Sequence, residues 1–175
     1  YEARRIDPGS IVAIANEVGN KYGIEQVVRF FYRPYLYLNY ENIDAANQYR
    51  NTVPRASADA ITDSEGIALA VPGSSLSEEQ NAPPIDQIRR NHHLTRSGDI
   101  YVLQKPYWFL LDEGKIAAMH GTPWRYDTHV PIIFVAPDTK PQKTSRPVHP
   151  VDVAPTIASY LGMSPPASSQ GTALD

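Results

Sequence analysis

His120 opens a His-Gly-Thr-Pro turn, and Asp127 and His129 follow within the same short stretch, IAAMHGTPWRYDTHVPIIFVAP. An imidazole beside a tight turn can offer a ring nitrogen to a metal ion, and a nearby carboxylate or second imidazole can orient that ring. Taken bare, a lone histidine is more often packed or solvated than a ligand. For Asp127 the simpler role is a turn residue, and for His129 packing or backbone bonding at a strand start. The chain has no cysteine, so only His, Asp and Glu remain as transition-metal ligands.

Other polar groups carry weaker signals. Arg96 begins an Arg-Ser-Gly-Asp turn, and an arginine beside an anion site can clamp phosphate. The turn precedes a strong strand pattern, however, and Arg96 pairing with Asp99 across the loop is the simpler reading. His92 and His93 are adjacent, which in extended chain points them to opposite sides, one solvated and one packed. His149 reads as a loop residue that positions the last helix, with Asp152 near the positive end of its dipole. The aromatic series Phe30, Phe31, Tyr32, Tyr35, Tyr37 and Tyr40 is read as packing rather than as a stacking face for ligands.

The elements that must hold these residues are partly legible. Pro8-Gly-Ser10 starts a helix whose apolar face is Ile11, Val12, Ile14, Ala15, Val18 and Tyr22, ending at Gly19 and Gly23. From Gln26 to Tyr40, β-branched and aromatic residues predict a hairpin or edge strand around Pro34. Asp44 is a candidate helix cap and Pro54 a candidate helix opener. Ile67–Val71 reads as a strand, Pro72 to Pro84 as a surface loop, and Asp86 to His92 as a short helix. Ile100–Gln104 is a strand pattern, Val130–Val135 has buried-strand character, and Val151–Leu161 reads as a helix closed by Gly162.

Composition narrows the function class. A length of 175 residues suits one core, and 42% hydrophobic with 20% charged residues is ordinary for a folded chain. A net charge of −3 without a basic stripe gives no support for nucleic-acid polymer binding. No apolar run approaches bilayer length, and the start at Tyr1 shows no leader, so the chain is expected to be a piece of a longer one.

The sequence resembles the alkaline phosphatase superfamily, most closely its type I phosphodiesterase and nucleotide pyrophosphatase-like branch. The resemblance rests on His120-Gly-Thr-Pro, Tyr126-Asp127 and His129-Val-Pro131, and continues as PVHPVDVAPTIASYLGMSPP from residue 147 to 166. Residues 22–39 and 93–108 match as well, so most of the chain outside 41–80 is covered. It implies an α/β fold, the C-terminal part of a three-layer α/β/α sheet with an inserted small α+β region. Residues 1–175 are then a single C-terminal unit, about 1–80 inserted or cap-like and about 81–175 core strands and final helix.

By the same resemblance, His120 is one ligand of a two-zinc centre that clamps a phosphoryl group for in-line attack by a Thr or Ser. Asp127 and His129 are then candidates to support its ring, and Arg96 a candidate anion contact. The family's Asp-x-x-x-His and Asp-His motifs occur nowhere in this sequence, so no catalytic residue is assigned to it. The isolated chain is expected to be inactive and to hold zinc weakly. The implied substrate is a small phosphate ester, and the implied parent is periplasmic or extracellular. A sulfatase of the same superfamily and a non-catalytic binding domain are the rivals. Removal from a larger sheet would leave an exposed apolar patch or a homodimer.

Overall fold

The computed structural model describes residues 4–46, 49–77, 82–111, 116, 118–137 and 140–174. They form two compact units, Tyr1–Thr128 and His129–Asp175.

In the first unit, β1 (Arg4–Ile6) leads into α1 (Pro8–Lys21). Asp7 caps α1 by accepting from the Gly9 N–H, and Pro8 occupies the first turn, where no backbone donor is missed. Ile11, Ala15 and Val18 form its buried stripe. Gly19 does not end the helix as expected. It lies inside α1 because a Cβ there would sit 2.1 Å from Val27 Cγ2, and the terminating left-handed residue is Gly23, with φ of 71°.

The expected hairpin is β2 (Val28–Tyr32) and β3 (Tyr35–Leu38), joined through a cis Arg33–Pro34 bond. The helices α2 (Tyr40–Ala45) and α3 (Thr52–Thr62) follow. Asp44 lies within α2 and pairs with Arg50 rather than capping a helix. Pro54 sits in the first turn of α3. Strand β4 (Ile67–Pro72) runs into a 3₁₀ turn at Gly73–Ser77, where Leu76 is 1% exposed, so this part of the expected surface loop is core. The helix α4 (Ile85–Arg90) and strands β5 (Ile100–Gln104) and β6 (Trp108–Leu110) come next.

Strand order β2-β3-β5-β4 makes one antiparallel sheet, and β1 pairs with β6 in parallel. Elements from both sides of residue 80 therefore share a sheet. Every residue of β5 is buried. Its alternation explains why: Ile100 and Val102 join a core with Ile11, Leu36, Val53 and Ile61, while Tyr101 and Leu103 join a second core with Leu76 and Ile88. A sheet covered on both faces needs continuous apolar strands, which is what IYVLQ supplies.

In the second unit, Val130–Val135 is irregular and exposed, with Ile133 at 78% and Val135 at 92%, which corrects the buried-strand expectation. No strand pairs with this run among the described residues, and without a ladder and a cover an apolar sequence pattern does not become a buried strand. A 3₁₀ turn at Pro150–Asp152 opens the last helix, for which Val153–Tyr160 is α6, and Gly162 closes it with φ of 65°.

Asp152 is the hub of this unit. Its carboxylate accepts from the His149 N–H at 2.8 Å and the Thr172 N–H at 2.9 Å. The Thr156 hydroxyl donates to Asp152 O and accepts from the Leu174 N–H, which ties the tail to α6. The two backbone donors hold the Asp152 carboxyl below its ordinary range, the Thr172 N–H foremost. No helix among the described residues is long and apolar enough to cross a membrane.

Candidate functional site

The His120 turn is built by its neighbours in the first unit. Its ring is exposed, and Gly121 turns the chain with φ of 109°, a region that favours glycine. Asp127, on the short helix α5 (Arg125–Thr128), accepts from the Thr122 N–H at 2.8 Å and the Thr122 hydroxyl at 2.6 Å. The Trp124 indole N–H donates to Gln104 O at 2.9 Å, so the turn is hooked to the end of β5. From the β2–β3 hairpin, the Arg33 guanidinium donates to His120 O at 3.3 Å across 87 positions of sequence. Tyr107 and Tyr126 stack with centroids 5.1 Å apart, and the Tyr107 N–H donates to the Tyr126 hydroxyl. These contacts fix the backbone on either side of an imidazole that faces solvent.

Asp127 thus serves the loop, and its hydrogen bonds go to Thr122 rather than to the His120 ring. His129 begins the second unit and is exposed. Arg96 is exposed, and the expected pairing with Asp99 does not form. Asp99 instead accepts from the Leu38 N–H at 2.7 Å and neighbours Tyr40, whose hydroxyl is pushed up to about 12 by burial and then by the Asp99 charge. The reason is geometric: the β3–β5 ladder ends at Leu36 and Ile100, and just past it the Leu38 N–H is in reach of the Asp99 carboxylate.

His92 and His93 divide as the sequence suggests. His93 is exposed and its Nδ1 meets Thr95, whereas His92 leans on Tyr35 and lies under Gly73. Burial, then the charge of His93, holds His92 below the ordinary histidine range. Sequence reasoning missed Arg33, and no local pattern announces a contact made across so many residues.

Among the described residues, no three of His, Asp and Glu come together to hold a metal ion. Catalytic zinc takes about three protein ligands, so the donors present here do not by themselves fit a two-zinc centre.

Comparison with known proteins bears on the family and the fold. The chain is 30% identical over 158 residues to the "Calcium-transporting ATPase" of Myroides odoratus, covering 89% of this chain and 29% of that protein. It is 26% identical over 121 residues to alkaline phosphatase PhoV of Synechococcus elongatus, covering 68% of this chain and 22% of the relative. It superposes on the crystal structure of wild type alkaline phosphatase PafA with a TM-score of 0.83 at 19% identity, over 99% of this chain and 33% of that one. The chain therefore spans less than a third of the length of the curated relatives named here. No family model matches it. The fold is that of the matching third of PafA, and the chain belongs to the alkaline-phosphatase-like superfamily, a family of phosphoester-hydrolase type.

Proposed function

We propose that this chain is the C-terminal portion of a metal-dependent phosphate ester hydrolase, of the phosphodiesterase and nucleotide pyrophosphatase-like kind. In this reading His120 supplies one ligand of a two-zinc centre. The remaining ligands and a Thr or Ser nucleophile belong to the rest of the parent protein. The bound metals would neutralise phosphoryl charge and activate the nucleophile. What the present chain contributes is one exposed imidazole on an immobilised turn, with Asp127 as a positioning residue for that turn. His129 and Arg96 remain candidates for ring support and anion contact. The parent is assigned to the periplasm or cell exterior, and its substrate to small phosphate esters.

The observation that carries the reading is the exposed His120 ring on a backbone fixed from both sides by Arg33 and Asp127. A histidine kept for packing has no need of such fixing, whereas a ligand must hold its direction to within a fraction of an ångström. Relatives named alkaline phosphatase support the phosphate chemistry, and the relative named a transporting ATPase adds a phosphoric anhydride to the substrates worth assaying.

The test is hydrolysis by the full-length parent with zinc, offered 4-nitrophenyl phosphate, bis(4-nitrophenyl) phosphate, ATP and 4-nitrophenyl sulfate. Phosphate-ester turnover that chelator or His120→Ala abolishes is expected, with none from the isolated chain. Turnover of the sulfate alone makes the parent a sulfatase. A parent that neither binds metal nor turns over any of the four is a binding domain.

A further inference from the structure

Arg4 and Arg5 open β1 side by side, and successive strand residues point to opposite faces. Each guanidinium lies over the aromatic ring of its register partner in β6, Arg4 over Trp108 at 5.5 Å and Arg5 over Phe109 at 5.0 Å. Arg4 also pairs with Glu65 at 2.9 Å. Arg5 directs its two terminal nitrogens at backbone instead: Nη1 donates to Leu111 O at 3.3 Å and Nη2 to Ile116 O at 2.6 Å.

Both carbonyls belong to the segment that runs from the end of β6 to His120. Its described residues, Leu111, Ile116 and 118–120, lie in neither helix nor strand, so regular backbone pairing does not hold them. A further carbonyl of the segment, that of His120 itself, accepts from Arg33. Arginines from β1 and from the β2–β3 turn therefore converge on one irregular stretch. A planar guanidinium suits the task, because donors on both nitrogens fix two acceptors relative to each other while the face of the group rests on Phe109.

We propose that Arg5 is a positioning residue for His120: it clamps the backbone at Leu111 and Ile116, so that the chain reaches the His-Gly-Thr-Pro turn from one fixed direction. A side chain is only as well placed as the backbone that carries it. Asp127 closes the turn after His120, and Arg5 holds the approach before it. That the residue so placed is a metal ligand rests on the proposed hydrolase function, whereas the clamp itself does not.

The clamp is measured by amide relaxation NMR on the 175-residue chain, with no metal present. Order parameters at Ile116, Met119 and His120 are expected near the rigid value of about 0.85 in wild type and below about 0.6 in Arg5→Ala, with α1 and β5 unchanged. Arg5→Lys keeps a cation over Phe109 but not the planar fork, so it is expected to fall between the two, and it tests the clamp even if the alanine variant misfolds. Mobile amides at these positions in wild type, or either variant as ordered there as wild type, overturns the proposal.

In the full-length parent the readout is zinc affinity, by competition with a chromophoric chelator. Loss of a positive charge cannot by itself weaken the binding of a cation, so weakening reports position. Arg5→Ala is expected to bind zinc about tenfold more weakly with Tm nearly unchanged, and Arg5→Lys to recover part of the loss. Zinc held as tightly by Arg5→Ala as by wild type overturns the positioning role. A wild-type parent that takes up no zinc overturns the hydrolase reading instead, and the relaxation result then decides the clamp alone.

Discussion

Asp127 Oδ2 accepts from both the backbone N–H and the hydroxyl of Thr122, at 2.8 and 2.6 Å, and so closes the loop that presents His120. Two donors on one carboxylate oxygen make a charge-assisted pair, each worth about 1.5–3 kcal/mol when sheltered and less at this half-buried site. Asp127→Ala should therefore destabilise the first unit by about 1–2 kcal/mol, and Thr122→Val by less, because it spares the backbone donor. In urea unfolding, a double-mutant cycle should give a coupling of about 1 kcal/mol, and additivity of the two changes would show that the contact does not hold the turn.

Arg33 acts on the other side of His120. A guanidinium donating to that residue's carbonyl fixes the peptide plane without touching the ring, so its loss should be felt in orientation rather than in stability. If the proposed hydrolase function holds, Arg33→Ala in the full-length parent is expected to lower kcat/KM for a phosphate ester about tenfold, equivalent to about 1.4 kcal/mol, with the melting temperature nearly unchanged. Arg33→Lys, with a single-point donor, should recover only part. Unaltered kinetics in Arg33→Ala would remove this residue from the site.

The contrast between these two residues shows what the sequence could and could not convey. Asp127 stands close enough to His120 for turn chemistry to suggest it, and α1, the hairpin, β4, α4 and β5 are legible because their apolar periods are local. Arg33 is invisible because its partner is distant along the chain. Val130–Val135 reads as a strand because apolar content records what a segment tends to bury against, yet β structure needs a neighbour to exist. Gly19 looks like a helix end when it is a contact point for Val27, since one-letter patterns cannot distinguish a flexible glycine from a small one.

That last distinction is measurable. An added methyl at Gly19 would lie 2.1 Å from Val27 Cγ2 and 2.8 Å from Ile24 O, and the second is backbone that cannot easily retreat. Although alanine favours helices by about 1 kcal/mol over glycine, the clash should win, so Gly19→Ala is expected to destabilise by about 1–3 kcal/mol. Stabilisation instead would mean that α1 and the segment from Ile24 to Val27 do not pack so closely.

The exposed run Val130–Val135 has a different consequence. Ile133 at 78% and Val135 at 92% exposure contribute almost nothing to the fold of their unit, so Ile133→Lys with Val135→Lys should change stability by no more than about 0.5 kcal/mol per site. The same side chains give apolar surface to any second copy, and light scattering should show wild type self-associating with concentration and the double variant less so. Identical scattering of the two would direct attention to another surface, such as Leu161 and Met163.

Asp152 supplies the pH dependence. Because its folded carboxyl titrates below the ordinary value of 3.8, the ionised form is the one the Thr172 and His149 N–H groups favour. The contribution to stability is therefore complete above that ordinary value and is lost as pH falls through the lower folded value. Amide exchange at Thr172, corrected for its intrinsic rate, should be slow and constant from pH 7 down to about 4 and accelerate below it. Asp152→Asn, which keeps an acceptor oxygen but cannot titrate, should show faster exchange at neutral pH and no acid transition. A wild-type profile that stays flat through the acid range would mean that the tail is held to α6 by Thr156 and Leu174 alone.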